Sequence, residues 1–148
     1  MPESDLDRVL AALRPDVVME GARNGVAWFH PQPEHRGVPG WVHGGFAAVV
    51  LDHVCARTAA HVLGERVVTG TLDLRYPQPL PLDGGPYRIE AEAAPHKGRL
   101  VKLRAAIMGA DGRQMVQAKA LFVTLDSAVM QLGVGVAQDQ QQTRAQRP

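Results

Sequence analysis

The chain has 148 residues, of which 45% are hydrophobic, enough for one domain with a buried core. Its formal net charge is +1, so we expect neither nucleic-acid binding through a basic stripe nor a polybasic membrane patch. Cys55 is the only cysteine, which excludes an internal disulfide. The first residues lack the apolar segment of a signal peptide, and no apolar run approaches the roughly 18 residues of a spanning helix. We therefore expect a cytoplasmic protein.

Two helices and several short strands are predicted in the first half of the chain. Ser4 and Asp7 have the spacing of a capping box, and a leucine and valine stripe follows as far as Pro15. Residues 17–19 and 26–29 are predicted to be short strands joined by a turn. An irregular loop rich in proline and glycine then leads into a helix at 44–61, which Gly64 is expected to end.

A period of two begins at residue 67 and predicts a half-buried strand. One face of this strand is predicted to carry Val68, Gly70, Leu72, Leu74 and Tyr76, and the other Thr69, Thr71, Asp73 and Arg75. Prolines end it, and three further strands follow, with hairpin signals at Lys97-Gly98 and Asp111-Gly112. Strands joined by hairpins are expected to pair with their neighbours.

This order of elements predicts an α+β fold in which one long helix packs on one curved antiparallel sheet. A single domain is expected over residues 1–132. Residues 133–148 are rich in glutamine and carry no apolar period, so we expect them to form a flexible tail.

Asp52 carries a charge at an unexpected place on the long helix. At about 100° per residue, His53, Arg57, Thr58 and His61 form a polar stripe, and Asp52 lies opposite, within the apolar face. A buried carboxylate without a partner is costly. Such a group facing a pocket is a candidate catalytic base or nucleophile, although an aspartate tied to a backbone amide is the competing interpretation.

Two glycines at the start of the same helix offer a second group. The amides of Gly44 and Gly45 have no intrahelical acceptor and lie at the positive end of the helix dipole, so they are candidates for an oxyanion hole. Asp52 lies roughly 12 Å further along the helix than Gly44. A two-fold dimer would bring Asp52 of one chain opposite Gly44 of the other, which predicts a shared site.

These residues resemble the hotdog-fold thioesterases of the PaaI type, the phenylacetate-pathway thioesterase and its relatives. The matching string is Gly40-Trp41-Val42-His43-Gly44-Gly45, followed nine residues after the histidine by Asp52. The alternating strand before the prolines, the segment His96-Lys97-Gly98-Arg99 and the last strand also match. The resemblance covers roughly residues 26–125.

The resemblance implies a hotdog fold, in which a curved antiparallel sheet wraps a long central helix. It also implies that the protein hydrolyses an acyl-CoA without a metal or redox cofactor. The Gly44 amide would polarise the thioester carbonyl, and His43 would shape that hole or orient a partner group. Asp52 would attack the carbonyl or activate water, and Thr69 aligns with a residue that positions the water. The site would lie between subunits of a homodimer or homotetramer, with CoA running near Arg99.

Other substrate contacts are expected from Gly45, from Trp41 at the entrance and from Lys97 beside Arg99 on the hairpin. The chain departs from several relatives at Gly37, where they carry an asparagine six residues before the histidine. The missing amide leaves the handling of the attacking water unassigned.

Alternative functions remain open. Cys55 has no adjacent base and is expected to be a packing residue, while His53 and His61 lack the further ligands of a metal site. A non-hydrolytic acyl-CoA or acyl-carrier-binding protein of the same fold is the main alternative. A hotdog dehydratase ranks last, because His53 directly follows Asp52 and is turned away from it by about 100°.

Overall fold

A computed structural model describes residues 4–129. In chain order its elements are α1 (Asp5–Ala12), β1 (Val18–Met19), β2 (Asn24–Phe29), a short helical turn (Pro33–His35), α2 (Gly44–Leu63), β3 (Val67–Arg75), β4 (Tyr87–Ala93), β5 (Leu100–Met108) and β6 (Gln114–Thr124). All six strands form one antiparallel sheet in the order β1-β2-β4-β5-β6-β3. The predicted α+β class is confirmed, and the predicted tail at 133–148 lies outside the described residues.

The sheet packs around α2, which contacts five of its strands. Every second residue of β4 is buried, on the face that packs against the helix. Ala91, Ala105 and Ala118 are directly opposite one another on β4, β5 and β6. Because these side chains are small, they leave room for α2 to lie close to the middle of the sheet.

Both ends of α2 follow from local sequence. His43 is the N-cap, and the helix runs to Leu63, two residues beyond the predicted end at His61. Gly64 then ends it in the left-handed conformation at φ 69°. Among the described residues, α2 is the helix whose length and apolar composition would suffice to cross a bilayer. A core helix of this length meets the same measures, and α2 occupies that position here.

The strand connections differ from the prediction at one place. β4, β5 and β6 are joined by tight turns at Gly98 and Gly112, which have φ values of 74° and 83°. β3, however, pairs with β6 and not with β4, the strand that follows it. The proline-containing segment between β3 and β4 carries the chain across the sheet, so β3 becomes an edge strand.

His35 connects α1 to the loop before α2. Its ring is fully buried and packs beside Phe29 and Phe46. The Gln32 N–H donates to Nδ1 at 3.0 Å, so Nε2 carries the proton and donates to the Val9 carbonyl at 3.1 Å. The first helix, which has no buried residue of its own, is therefore bonded to a buried group.

Thr58 does not belong to a polar stripe, and that prediction is wrong. The side chain is fully buried, and its hydroxyl donates to the Val54 carbonyl at 2.8 Å. This bond satisfies the hydroxyl within the helix, so a polar residue can face the core at little cost. Gly25 on β2 lies directly opposite, where a side chain would overlap the Thr58 oxygen.

Candidate active site

His43 fixes the geometry of the α2 N-terminus. Its Nδ1 accepts the Gly45 N–H at 2.9 Å, and its own N–H donates to the His35 carbonyl at 2.8 Å. Gly37 packs directly against it, because a Cβ at position 37 would lie 3.1 Å from the His43 Cα. The glycine that departs from the family pattern therefore has a physical role, since it lets the loop close onto the helix cap.

Gly44 occupies the first turn of α2, where the backbone N–H has no intrahelical acceptor. Within residues 4–129 no hydrogen bond engages that N–H. Its carbonyl accepts the Tyr76 hydroxyl at 2.8 Å, and the Tyr76 ring lies against the glycine. The amide that the sequence singled out is thus held in a defined position and carries the partial positive charge of the helix terminus.

Asp52 is half-buried and accepts a hydrogen bond from Thr69 at 2.8 Å between Oγ1 and Oδ1. The two residues are therefore brought together, although α2 and β3 are separate elements. A carboxylate that accepts from a hydroxyl is held in one orientation and keeps a second oxygen for other contacts.

A β-bulge at Gly70 turns Thr69 toward the helix. The pairing with β6 shifts between Thr69 and Thr71, and Thr69 is opposite Phe122, whose side chain is fully buried. Leu72 is opposite Ala120 on the same inner face. The predicted strict alternation, which put Thr69 on the face away from Leu72, is wrong because the extra residue reverses the pattern.

The helix face around Asp52 is apolar, but it is not the core face. The residues buried against the sheet are Ala47, Val50, Leu51, Val54, Cys55, Thr58 and Ala59. On the side of the helix that carries Asp52, Gly45 and Val49 are exposed, Val49 to 47%. The helix therefore presents a second apolar strip to the outside of the single chain, with Asp52 at its border.

The remaining predicted site residues lie apart from Asp52 in the single chain. Trp41 forms a bridge with Pro81 and is 40% exposed, on the loop that enters α2. Lys97 and Arg99 are exposed on the β4–β5 turn, and the Arg99 carbonyl accepts the Thr124 N–H. Since Thr124 pairs with the first residue of β3, this turn lies at the C-terminal end of α2, opposite to Gly44.

The candidate site of one chain is an open surface. Two cavities, of about 530 and 640 Å³, lie on the outer face of the sheet and are lined by charged residues such as Glu92, Arg104 and Lys119. Neither cavity is lined by Asp52 or Gly44. Among residues 4–129, these two cavities therefore lie away from the groups expected to carry the chemistry.

Other candidates behave as packing groups. Burial raises the pKa of the Cys55 thiol to about 12, so the thiolate of a nucleophilic cysteine is not formed near neutrality. His53 bonds the Pro15 carbonyl at 2.9 Å, and desolvation lowers its pKa. No cluster of three or more potential metal ligands occurs between residues 4 and 129.

Known proteins resemble the chain in sequence, although no family model matches it. The acyl-coenzyme A thioesterase THEM4 of Xenopus laevis is 33% identical over 104 residues, which make up 70% of this chain and 46% of that protein. The chain thus spans just under half the length of the curated relative that it matches.

Solved structures of thioesterases resemble the chain in fold. A thioesterase superfamily protein is 30% identical with a TM-score of 0.66, over 72% of this chain and 54% of its own. A hypothetical thioesterase from Streptococcus pneumoniae, solved with coenzyme A, is 16% identical with a TM-score of 0.65, over 74% of this chain and 84% of its own.

The chain therefore has the hotdog fold, and its structural neighbours are thioesterase superfamily proteins. The predicted resemblance to hotdog-fold thioesterases is confirmed, and the narrower PaaI type stays a prediction.

Proposed function

We propose that the chain hydrolyses an acyl-CoA thioester to a free acid and CoA. The observation that carries this proposal is the Thr69–Asp52 hydrogen bond, which orients a carboxylate on the same helix as an amide free to bind a carbonyl oxygen. The likeness to an acyl-coenzyme A thioesterase and to a thioesterase solved with coenzyme A supports the substrate class.

The proposed mechanism uses the helix terminus as the oxyanion hole. The Gly44 N–H binds the thioester oxygen, and stabilisation of the developing charge there is worth about 3 kcal/mol. Asp52 attacks the carbonyl carbon or removes a proton from the water that attacks it. The C–S bond then breaks, and the CoA thiolate leaves and takes up a proton. Where Asp52 is the nucleophile, the product is a mixed anhydride on Asp52, which water then hydrolyses to the free acid and the regenerated carboxylate. His43 and Thr69 position these groups, and the scheme uses no metal or redox cofactor.

We further propose that two chains complete one site. Asp52 and Gly44 of one chain are roughly 12 Å apart along the helix, too far to act on one carbonyl. Two antiparallel copies of α2 crossing near Ala48 would bring Asp52 opposite Gly44 of the partner subunit. Among residues 4–129 no strand pairs with the outer edge of β3, and Gly45 and Val49 form an exposed apolar strip. Both features support a second copy on this side.

The same arrangement supports a role for the β4–β5 turn. Because that turn lies at the C-terminal end of α2, an antiparallel copy would carry Lys97 and Arg99 toward the N-terminus of the partner's helix. Their charges would then be available to the phosphates of CoA, with Gly45 and Trp41 beside the acyl end. The identity of the acyl group is left to a substrate panel.

Asp52→Asn tests the proposed chemistry. We expect thiol release from short, long and aromatic acyl-CoAs to fall at least about a hundredfold, because the amide can neither attack nor accept a proton. Asp73→Asn is the matched control, since Asp73 lies exposed on the outer face of β3. Undiminished turnover in Asp52→Asn would reject the assignment, and acyl-CoA binding without turnover in the unmodified chain would favour the non-hydrolytic alternative.

A further inference from the structure

Tyr76 contacts the candidate oxyanion hole, and the proposed function gives it no role. It follows the last residue of β3 and is 48% exposed. Its hydroxyl donates to the Gly44 carbonyl at 2.8 Å, and two of its ring atoms lie 3.4 and 3.5 Å from where a Gly44 side chain would begin. The alternating pattern placed it only on one face of the predicted strand, with Leu72 and Leu74.

The Tyr76 bond continues through a peptide group to His43. The Gly44 carbonyl and the Gly45 N–H belong to the same peptide, and that N–H donates to His43 Nδ1 at 2.9 Å. A donor on the carbonyl oxygen polarises the peptide, which makes its N–H a stronger donor. Tyr76 and His43 are therefore coupled without touching.

This chain of bonds selects one form of the His43 ring. Because Nδ1 accepts a hydrogen bond, the neutral ring carries its proton on Nε2. The Cδ2 edge faces Gly37, and the Nδ1 and Cε1 edge faces Gly45. Between residues 4 and 129 no hydrogen bond occupies Nε2, and the side chain is exposed. The Nε2–H is thus a second donor at the same helix terminus as the Gly44 N–H.

We propose that Tyr76 is a positioning residue: through the Gly44–Gly45 peptide, its hydroxyl holds His43 in the Nε2–H form, so that His43 and the Gly44 amide can donate together to one thioester oxygen. This inference rests on the proposed function for its consequence in catalysis. The relay, by which we mean the path from the Tyr76 hydroxyl through the Gly44–Gly45 peptide to His43, rests only on the two hydrogen bonds. Partial burial raises the pKa of the Tyr76 hydroxyl, which keeps it protonated and able to donate at neutral pH.

Tyr76→Phe removes the hydroxyl and keeps the ring against Gly44. We expect kcat to fall by about threefold to tenfold, because an oriented donor is lost from the transition state, while KM changes by less than about twofold. In ¹⁵N spectra of histidine-labelled protein we expect a His43 population protonated on Nδ1, which the unmodified chain lacks. A tyrosine that only stabilised the fold would leave this signal unchanged.

Tyr87→Phe is the matched control, because Tyr87 is the only other tyrosine and also donates its hydroxyl to a backbone carbonyl, that of Pro81. It should keep both kcat and the His43 signal. A Tyr76→Phe protein with unchanged kcat, or with His43 entirely in the unmodified form, overturns the relay. If the unmodified chain releases no thiol, the proposed function fails separately, and the His43 signal alone decides for or against the relay.

Discussion

Thr69 reaches Asp52 only because Gly70 interrupts the strand. In a regular strand, Thr69 would share a face with Thr71 and Asp73 and would point away from α2. The bulge adds one residue, so Thr69 is opposite the buried Phe122 and its hydroxyl lies 2.8 Å from the Asp52 carboxylate. A glycine also fits here because a Cβ would lie 3.1 Å from the Leu121 carbonyl oxygen.

Substitutions of Thr69 should separate its hydroxyl from its shape. We expect Thr69→Val, which keeps the branched side chain, to lower kcat by roughly threefold to tenfold, because loss of one hydrogen bond costs about 1 kcal/mol. Thr69→Ser keeps the donor and should retain most of the activity. Steady-state thiol release measures both, and equal activities in the two variants would contradict a role for the hydroxyl.

At the scale of single residues, the sequence indicated the positions of candidate groups along a helix better than the direction of a side chain in a strand. Asp52 and Gly44 could be singled out from spacing on one helix, because helical geometry is regular. The resemblance gave Thr69 a role in positioning water but did not predict its contact with Asp52, and the alternating pattern put Thr69 on the opposite face. Gly70 inside a strand was the signal for a bulge, and a glycine there commonly marks one.

The packing of β2 against α2 depends on a single pair of residues. Gly25 faces Thr58, and a methyl group at position 25 would overlap the Thr58 oxygen and lie 2.9 Å from Val17 Cγ1. Thr58 can be buried because its hydroxyl bonds within its own helix. Because position 25 of β2 is a glycine, the polar Thr58 has room to face the sheet.

Gly25→Ala should lower the free energy of unfolding by about 1–3 kcal/mol, the usual cost of overfilling a core. Adding Thr58→Ala removes the overlapping oxygen, so the double variant should lose less stability than the sum of the two single changes. Urea unfolding of the four proteins measures this coupling. Additive changes in the free energy of unfolding would show that there is no steric conflict between the residues at positions 25 and 58.

Helices and hairpins were predictable because their signals are local. The Ser4–Asp7 capping box, the Gly64 cap and the turns at Gly98 and Gly112 all occur where the sequence placed them. The position of β3 beside β6 was not predictable in this way, because it depends on a crossing that no turn residue specifies. The same holds for Thr58, whose burial is set by a glycine more than thirty positions away.

At the scale of the whole molecule, residues 4–129 cover one side of α2 with the sheet. Within this range, neither the strip beside Asp52 nor the outer edge of β3 is covered by another element. A shared site explains both features, and mixing two inactive variants can test it.

Gly44→Pro is suited to that test because it removes the amide proton from the first position of a helix, where proline is accepted. His43 has φ −62° and ψ 132°, which suits a residue before proline. Alone, Gly44→Pro and Asp52→Asn should each be inactive. Denatured and refolded together in equal amounts, they should regain about a quarter of the original activity, because half the dimers are mixed and each has one intact site.

Two controls complete the experiment. Each variant refolded alone should stay inactive, and light scattering should give the same mass for the mixture and the unmodified protein. If Asp52 and Gly44 acted within one chain, no mixed dimer would contain an intact pair. A mixture that stays inactive despite forming dimers would therefore reject the shared site.

The first helix has no buried residue of its own, but it supports the buried ring of His35. The Val9 carbonyl accepts a hydrogen bond from that ring, and the His35 carbonyl accepts one from the backbone N–H of His43, the residue that caps α2. Removal of residues 1–15 would take away Val9 and leave His35 Nε2 in the core without this hydrogen-bond partner. A proteolytic cut that releases this segment would therefore disturb the loop whose His35 carbonyl holds His43, the N-cap of α2.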